Sequence, residues 1–200
     1  IAIYIEEEFF ELLESRVRKY RKFNVHAYPT FEKLRAGTKL IPELQKNGPK
    51  YILFLDDDVI YPKYLFKSML DTLEAYKDEV VVCNWAQEFA FDETGSSLTY
   101  RKWKELRRPG KLPIYGMPLG VGGVLARRGT FPSGILDTNT FREVCNCIDD
   151  LWFWCHYVMA EVPVVLNAKK VRVPVTWPGS QETALWKSEN ISKGPKDLAV

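Results

Sequence analysis

The stretch that decides the fold covers residues 48–62 and reads GPKYILFLDDDVIYP. Its centre, YILFL at residues 51–55, is five apolar residues in a row, with a turn signal before it and three aspartates after it. An apolar run without alternation is typical of a strand whose two faces are both covered, as in the middle of a parallel sheet. The stretch therefore predicts a buried strand that ends in an acidic segment, residues 56–58.

The flanking sequence alternates between strand and helix patterns. Residues 1–5 and 79–84 are predicted strands, and residues 6–20 and 64–77 are predicted helices because their apolar residues recur at helical spacing. This alternation favours βαβ units. We therefore expect an α/β fold with a mostly parallel sheet flanked by helices, followed by a smaller mixed region after residue 84.

Length and composition bound the class of protein. The chain has 200 residues, of which 46% are hydrophobic and 27% are charged, so we expect a single globular domain over residues 1–200. The net charge is only +2, which gives no indication of a nucleic-acid partner. No apolar run is long enough for a transmembrane helix, and the four cysteines form no CxxC pair. We therefore expect a cytoplasmic protein with reduced thiols.

The acidic segment carries the strongest chemical signal. Three adjacent carboxylates repel one another, and a divalent cation between them relieves that repulsion. Hard oxygen ligands suit Mg²⁺ or Mn²⁺, and ligands of open α/β sheets bind beyond the carboxyl ends of the strands. Alternation along an extended chain predicts that Asp56 and Asp58 point the same way. A solvated acidic turn is the alternative interpretation.

A second acidic pair, Asp149 and Asp150, occurs in CIDDLWFW at the start of a predicted helix. A carboxylate there either caps the helix and interacts favourably with its dipole or acts as a general base.

The glycines of residues 120–123, here named the glycine loop, either allow a ligand to approach the backbone or form an ordinary bulge or turn. Each of these alternatives stays open at the level of the residues.

Read together, these segments resemble a known family. Residues 39–65, KLIPELQKNGPKYILFLDDDVIYPKYL, are similar to the nucleotide-sugar segment of GT-A-fold glycosyltransferases. The bacterial family-2-like enzymes of surface-polysaccharide synthesis are the most similar branch. Residues 120–165 resemble the second half of that family, with a glycine pair and then an acidic pair that opens a helix.

The resemblance implies an inverting, metal-dependent glycosyltransferase with a GT-A (Rossmann-like) sheet. The donor would be a nucleoside-diphosphate sugar, a UDP-sugar foremost, and the acceptor a glycan or a lipid-linked glycan. Residues 1–84 would bind the donor and residues 85–200 would form the acceptor and catalytic part. Peripheral contact with the inner face of the membrane is a further expectation.

The resemblance also assigns residues to roles. Asp150 would match the catalytic base, with Asp149 in the preceding acidic position. Asp58 and Asp56 would match the metal-binding residues, with Mn²⁺ or Mg²⁺ as the cofactor. The donor contacts would be Thr38, Lys39, Asp56, Asp57, Gly122 and Gly123. Trp85, Trp152 and Trp154 are candidates for stacking on sugar rings.

The sequence also departs from the family pattern. The first strand of the fold, which helps to hold the nucleotide base, is not visible before Ile1, and we expect it to be missing. The QxxRW motif of processive synthases is absent from the sequence, which favours one transfer per encounter. Two other classes stay open: a sugar-phosphate nucleotidyltransferase, which would release pyrophosphate, and a non-catalytic glycan-binding module, which would bind sugar without metal.

Overall fold

The computed structural model describes residues 1–145, 148–167 and 175–182. The strands in these ranges are β1 (Ala2–Glu6), β2 (His26–Thr30), β3 (Tyr51–Phe54), β4 (Val59–Ile60), β5 (Val81–Cys83), β6 (Ala86–Glu88), β7 (Lys104–Leu106), β8 (Gly110–Lys111), β9 (Gly116–Pro118), β10 (Val124–Arg127), β11 (Val164–Leu166) and β12 (Val175–Thr176). The helices are α1 (Glu7–Arg18), α2 (Ile41–Leu44), α3 (Leu65–Ala75), α4 (Thr138–Val144) and α5 (Asp149–Met159).

The described chain forms two compact units. The first contains residues 1–48 and 133–149, and the second contains residues 49–132 and the described residues from 150 onward. The sequence analysis expected one domain, with a donor-binding part over residues 1–84 and an acceptor part over residues 85–200. That division stays a prediction.

The first unit is built on a small βαβ element. Strands β1 and β2 pair in parallel, and α1 connects them. Acidic residues in the first turn of α1 and basic residues in its last turn favour the helix dipole. The fully buried apolar side chains of this unit come from the segments around α2 and α4; they are Leu34, Leu40, Ile41, Ile135 and Phe141.

The second unit contains a five-stranded sheet in the order β3-β10-β5-β11-β8. Strand β10 runs antiparallel to both of its neighbours, β3 and β5. Strand β11 is parallel to β5, and β8 is antiparallel to β11. Two smaller antiparallel sheets, β7-β6-β9 and β12-β4, complete the described part of this unit.

The prediction of a mostly parallel, GT-A or Rossmann-like sheet is wrong. The described residues form small sheets, most of them antiparallel or mixed; the parallel sheet among them has only two strands, β1 and β2. The physical reason is that a continuous apolar run records neither the direction of a strand nor its position in the sheet. Strand β3, predicted in the middle of a parallel sheet, is at one end of the strand order, and its residues alternate between half-buried and buried. Strand β10, inserted antiparallel between β3 and β5, buries Val124, Leu125 and Ala126 as completely as a parallel strand would.

Helix α3 covers the sheet and forms its main core. Its residues Leu65, Met69 and Leu73 pack with Val82 of β5 and Leu125 of β10. The helix begins shortly after Pro62, as the predicted helix over residues 64–77 requires, and its apolar residues repeat at helical spacing. This packing holds α3 against the sheet whose strand ends carry the candidate site.

Two further expectations concern membrane-spanning helices and the state of the cysteines. Within the described ranges, none of the helices combines the length and the apolar character that a membrane span requires. Cys83, Cys145 and Cys155 are free thiols, whereas Cys147 lies outside the described residues. Burial raises the pKa of the Cys83 thiol, so this side chain stays protonated and unreactive at neutral pH.

Candidate functional site

One edge of the five-stranded sheet collects most of the predicted site residues of the second unit. Strands β3, β5 and β11 run in the same direction, so their carboxyl ends meet at this edge. The acidic segment follows β3, Asn84 follows β5, and Asn167 follows β11. The glycine loop reaches the same edge because it leads into β10, which runs the opposite way.

The three residues of the acidic segment differ in exposure, and Asp57 and Asp58 lie in a turn. Asp56 and Asp58 are half-buried, and Asp57 between them is exposed. The backbone carbonyl of Asp58 accepts a hydrogen bond from the Trp177 N–H at 2.7 Å, next to the pairing of β12 with β4. The backbone of the segment is therefore fixed at its carboxyl end by residues that are distant in the sequence.

Tyr61 joins the acidic segment to the glycine loop. Its hydroxyl accepts a hydrogen bond from the Asp56 N–H at 3.0 Å and donates one to the Val121 carbonyl at 3.1 Å. One side chain therefore holds the two backbone segments that the sequence assigned to donor binding. The sequence analysis did not identify this residue, although its place just after the acidic segment was a signal.

The glycine loop needs its glycines for packing. A Cβ at Gly122 would lie 2.6 Å from the Trp85 Cβ and 2.7 Å from the Trp85 backbone nitrogen. Gly123 has φ +87°, which favours glycine, and a Cβ there would lie 3.0 Å from Leu55. The ordinary structural interpretation therefore explains both residues, and their role beneath a donor sugar stays a prediction.

Asp150 is attached to the same loop. Its Oδ1 atom accepts a hydrogen bond from the Gly120 N–H at 2.9 Å. The residue lies in the first turn of α5, where its charge favours the helix dipole, and its side chain is half-buried. A carboxylate in this position can accept a proton from a bound hydroxyl while the loop N–H orients it.

The remaining predicted residues meet in the first unit. Lys39 Nζ lies 2.8 Å from Asp149 Oδ2, and both side chains are largely buried, with 16% and 8% exposed. The two atoms are close enough for an ion pair, but the angle between them does not allow a hydrogen bond. Thr38 is also buried, and its hydroxyl has no hydrogen-bond partner among the described residues. Because Asp149 is occupied by this pairing, it is a poor candidate for a proton acceptor.

A buried polar network lies beneath the edge of the sheet. The Asn167 side-chain amide donates to Ser68 Oγ at 3.0 Å and to Asn84 Oδ1 at 3.2 Å, and its Oδ1 accepts from Thr72 Oγ1 at 2.8 Å. Ser68 and Thr72 belong to α3. The sequence analysis missed this network, yet both asparagines directly follow apolar strands, which was the available signal.

The acidic segment has the type of ligand atom that a divalent cation binds. Asp56 and Asp58 supply hard carboxylate oxygens from its two half-buried positions, as Mg²⁺ and Mn²⁺ prefer. Among the described residues, no group of three or more His, Cys, Asp or Glu side chains is arranged to hold a metal ion. Mn²⁺ or Mg²⁺ as the cofactor therefore stays a prediction.

The predicted stacking residues have different surroundings. Trp152 is buried and contacts His156 edge-on, with the ring centroids 4.3 Å apart. Trp154 contacts Phe89 at 4.6 Å, and Trp85 covers Gly122. All three rings are therefore at least partly engaged in packing.

Comparison with known proteins gives no family assignment. No protein-family model matches the chain, and no curated protein matches it significantly. A function must therefore be argued from the chemistry of the residues described above.

Proposed function

We propose that this chain is an inverting, metal-dependent glycosyltransferase that moves a sugar from a nucleoside-diphosphate sugar to a glycan hydroxyl. A UDP-sugar is the proposed donor, and a glycan or lipid-linked glycan is the proposed acceptor. For such an acceptor we propose a cytoplasmic location with peripheral contact at the inner face of the membrane.

One observation carries the proposal. The acidic segment, the glycine loop and Asp150 form one hydrogen-bonded assembly, through Tyr61 on one side and the Gly120 N–H on the other. A diphosphate needs a cation or positive dipoles, and a sugar transfer needs a base near the acceptor oxygen. This assembly offers residues for both requirements at one edge of the sheet.

The protein residues then have separate tasks. Asp56 and Asp58 would hold Mn²⁺ or Mg²⁺, which neutralises charge on the departing diphosphate. Asp150 takes the proton of the acceptor hydroxyl, whose oxygen bonds to the anomeric carbon as the bond from that carbon to the diphosphate oxygen breaks. Attack from the face opposite the leaving group inverts the anomeric configuration. Thr38, Lys39, Asp57, Gly122 and Gly123 stay proposed donor contacts.

A product assay tests the proposal. The purified chain is incubated with UDP- and GDP-sugars and Mn²⁺, and the release of nucleoside diphosphate is measured with and without EDTA. We expect metal-dependent release that glycan acceptors stimulate. Pyrophosphate formed from a sugar phosphate and a nucleoside triphosphate would favour the nucleotidyltransferase. Sugar binding with no nucleotide binding would favour the glycan-binding module.

A further inference from the structure

We propose that the chain binds the surface of an anionic lipid bilayer through one part of the second unit, the turn at residues 113–116 and the loop before it. This inference deepens the proposed function, on which it rests, because it names the surface that makes the proposed peripheral membrane contact. The side chains that carry it are Arg108, Lys111, Ile114 and Tyr115, here named the basic–apolar surface.

The tip of the turn exposes two large apolar side chains. Ile114 is 64% exposed and Tyr115 is 50% exposed. The turn is closed by the Gly116 N–H, which donates to the Pro113 carbonyl at 2.8 Å. A Cβ at Gly116 would lie 3.0 Å from Leu112, so the turn packs closely against the chain that leads into it. Ile114 and Tyr115 are therefore exposed on a turn with a fixed backbone.

Contacts with the rest of the second unit hold the tip. The Trp154 indole N–H donates to the Ile114 carbonyl at 3.2 Å, and the Phe89 N–H donates to the Tyr115 carbonyl at 3.0 Å. The Tyr115 ring also meets Phe91 edge-on, with the ring centroids 5.0 Å apart. Because both tip carbonyls are bound within the protein, the tip enters the edge of a bilayer without leaving them unpaired.

The loop before the turn supplies positive charge. Residues 105–109 and 111–113 line one open depression. The Glu105 carboxylate in this lining pairs with Arg107 at 2.7 Å, so this pair has no net charge. Arg108 and Lys111 are both exposed, and they give the depression its positive charge. Each basic residue at an anionic bilayer surface strengthens binding about fivefold.

This combination matches an anionic bilayer better than a soluble anion. Binding at a bilayer surface needs apolar side chains that enter the boundary between headgroups and acyl chains, and basic side chains that stay at the headgroups. Tyrosine is enriched at this depth because its ring is apolar and its hydroxyl is polar. A free phosphate would contact Arg108 and Lys111 but gain nothing from Ile114 and Tyr115.

The basic–apolar surface is also connected to the proposed base. Trp154, which holds the Ile114 carbonyl, follows Asp150 by one turn on the same face of α5. Along the chain, Ile114 lies six residues before Gly120, whose N–H donates to Asp150, and six residues span at most about 22 Å. A lipid-linked acceptor in the bound bilayer would therefore have its sugars within reach of Asp150.

Co-sedimentation of the whole chain with lipid vesicles tests the surface. Vesicles of phosphatidylcholine alone are compared with vesicles that contain about one third phosphatidylglycerol, at about 0.1 M salt. We expect binding to the anionic vesicles to be about tenfold stronger or more. At about 1 M salt this difference should disappear, because the screening length falls to about 3 Å.

Two double variants separate the apolar and the basic contributions. Ile114→Ser/Tyr115→Ser removes the apolar tip and keeps the charge, whereas Arg108→Gln/Lys111→Gln removes the charge and keeps the tip. We expect each to weaken binding to the anionic vesicles about tenfold or more. The melting temperature should stay near that of the wild type, because all four side chains are exposed.

Inorganic phosphate, added to the anionic vesicles at constant ionic strength, provides the competing anion. We expect it to displace no more protein than chloride does. Greater displacement by phosphate, together with vesicle binding that is unchanged in Ile114→Ser/Tyr115→Ser, would assign the site to a soluble anion and overturn the bilayer proposal.

Matched controls come from the first unit. Lys19→Gln/Lys22→Gln removes the same charge from exposed positions, and Phe31→Ser removes an apolar side chain that is 75% exposed. We expect wild-type vesicle binding in both controls. Losses in the controls as large as those in the surface variants would overturn the assignment, as would a wild-type chain that binds both kinds of vesicle equally.

Titration calorimetry with UDP and Mn²⁺, without vesicles, separates this inference from the proposed function. If UDP binds but the chain does not prefer anionic vesicles, the bilayer surface alone fails. If the vesicles bind through the basic–apolar surface but no nucleotide binds, the transferase proposal fails and the bilayer surface stands.

Discussion

The two clusters of adjacent aspartates in this chain differ in how they are used. In the acidic segment, residues 56–58, the first and last residues are half-buried and the middle one is exposed. In the acidic pair, Asp149 is buried against Lys39, whereas Asp150 is half-buried and held by a loop N–H. Neighbouring aspartates in a sequence are therefore not equivalent, because the backbone conformation sends them into different environments.

The different surroundings of these aspartates predict different effects when they are substituted. A carboxylate that keeps some access to solvent can exchange a proton or bind a cation, whereas one that neutralises a buried lysine contributes to folding. We therefore expect Asp56, Asp58 and Asp150 to affect ligand binding or turnover and Asp149 to affect stability. The following predictions test this division, starting with the largest expected effect.

Asp150→Asn is expected to lower turnover by about 10² to 10⁴, the usual contribution of a positioned base. The asparagine Oδ1 can still accept the Gly120 N–H, so the melting temperature and UDP affinity are expected to change little. The measurements are transfer rate, thermal unfolding and UDP titration. Asp71→Asn, which removes the same charge from a surface pair with Lys67, is the control and keeps full turnover. Near-wild-type turnover in Asp150→Asn would remove the residue from the mechanism.

Asp149→Ala is expected to lower the free energy of unfolding by about 3–5 kcal/mol, because it leaves Lys39 buried without its partner. Urea denaturation followed by tryptophan fluorescence measures this change. The double variant Lys39→Met/Asp149→Leu is expected to regain much of the loss, since no unpaired charge is then buried. A loss below about 1 kcal/mol in the single variant is the value typical of surface pairs and would contradict a stabilising role for the pair.

Asp58→Ala is expected to weaken Mn²⁺-dependent UDP binding at least about tenfold, since even residues that only support a metal ligand commonly cost that much. Asp57→Ala, at the exposed middle position, is the matched comparison, and we expect a smaller loss. Isothermal titration with UDP and GDP, with and without EDTA, measures both. Equal affinity with and without metal in the wild-type chain would show that the acidic segment is a solvated turn.

Tyr61→Phe is expected to cost about 1 kcal/mol of stability and to lower UDP affinity a few-fold, because the Asp56 N–H and the Val121 carbonyl lose their shared partner. Tyr64→Phe, in the exposed neighbouring turn, is the control and should match the wild type. Denaturation and titration on the same preparations give both values. If affinity is unchanged while stability falls, Tyr61 supports the fold without positioning the acidic segment.

Local patterns predicted the elements that contain the site but not the order of the strands. The run YILFL identified β3 and the acidic segment, and the apolar spacing after Pro62 identified α3. Neither pattern contains information on the partner of a strand, so the insertion of β10 between β3 and β5 was missed. Strand pairing depends on contacts between segments distant in the sequence, which a local apolar pattern does not record.

Local patterns also missed the contacts between distant residues in the candidate site. The shared orientation of Asp56 and Asp58 stays a prediction, because alternation assumes an extended chain and Asp57 and Asp58 lie in a turn. The pairing of Lys39 with Asp149 and the hydroxyl bridge of Tyr61 to Val121 connect distant residues, and no spacing rule indicates them.

The network around Asn167 has a consequence for the exchange of backbone amides with solvent. Asn167, Ser68 and Thr72 are each at least nine-tenths buried, and the Asn167 N–H donates to the Cys83 carbonyl at 2.8 Å. An amide in this position exchanges with deuterium only when β11, β5 and α3 separate, which requires opening much of the second unit. The Asn167 amide is therefore expected to report global unfolding, whereas the N–H of exposed Asp57 reports local opening. We therefore expect the acidic segment, which follows β3, to open locally while β5, β11 and α3 stay closed.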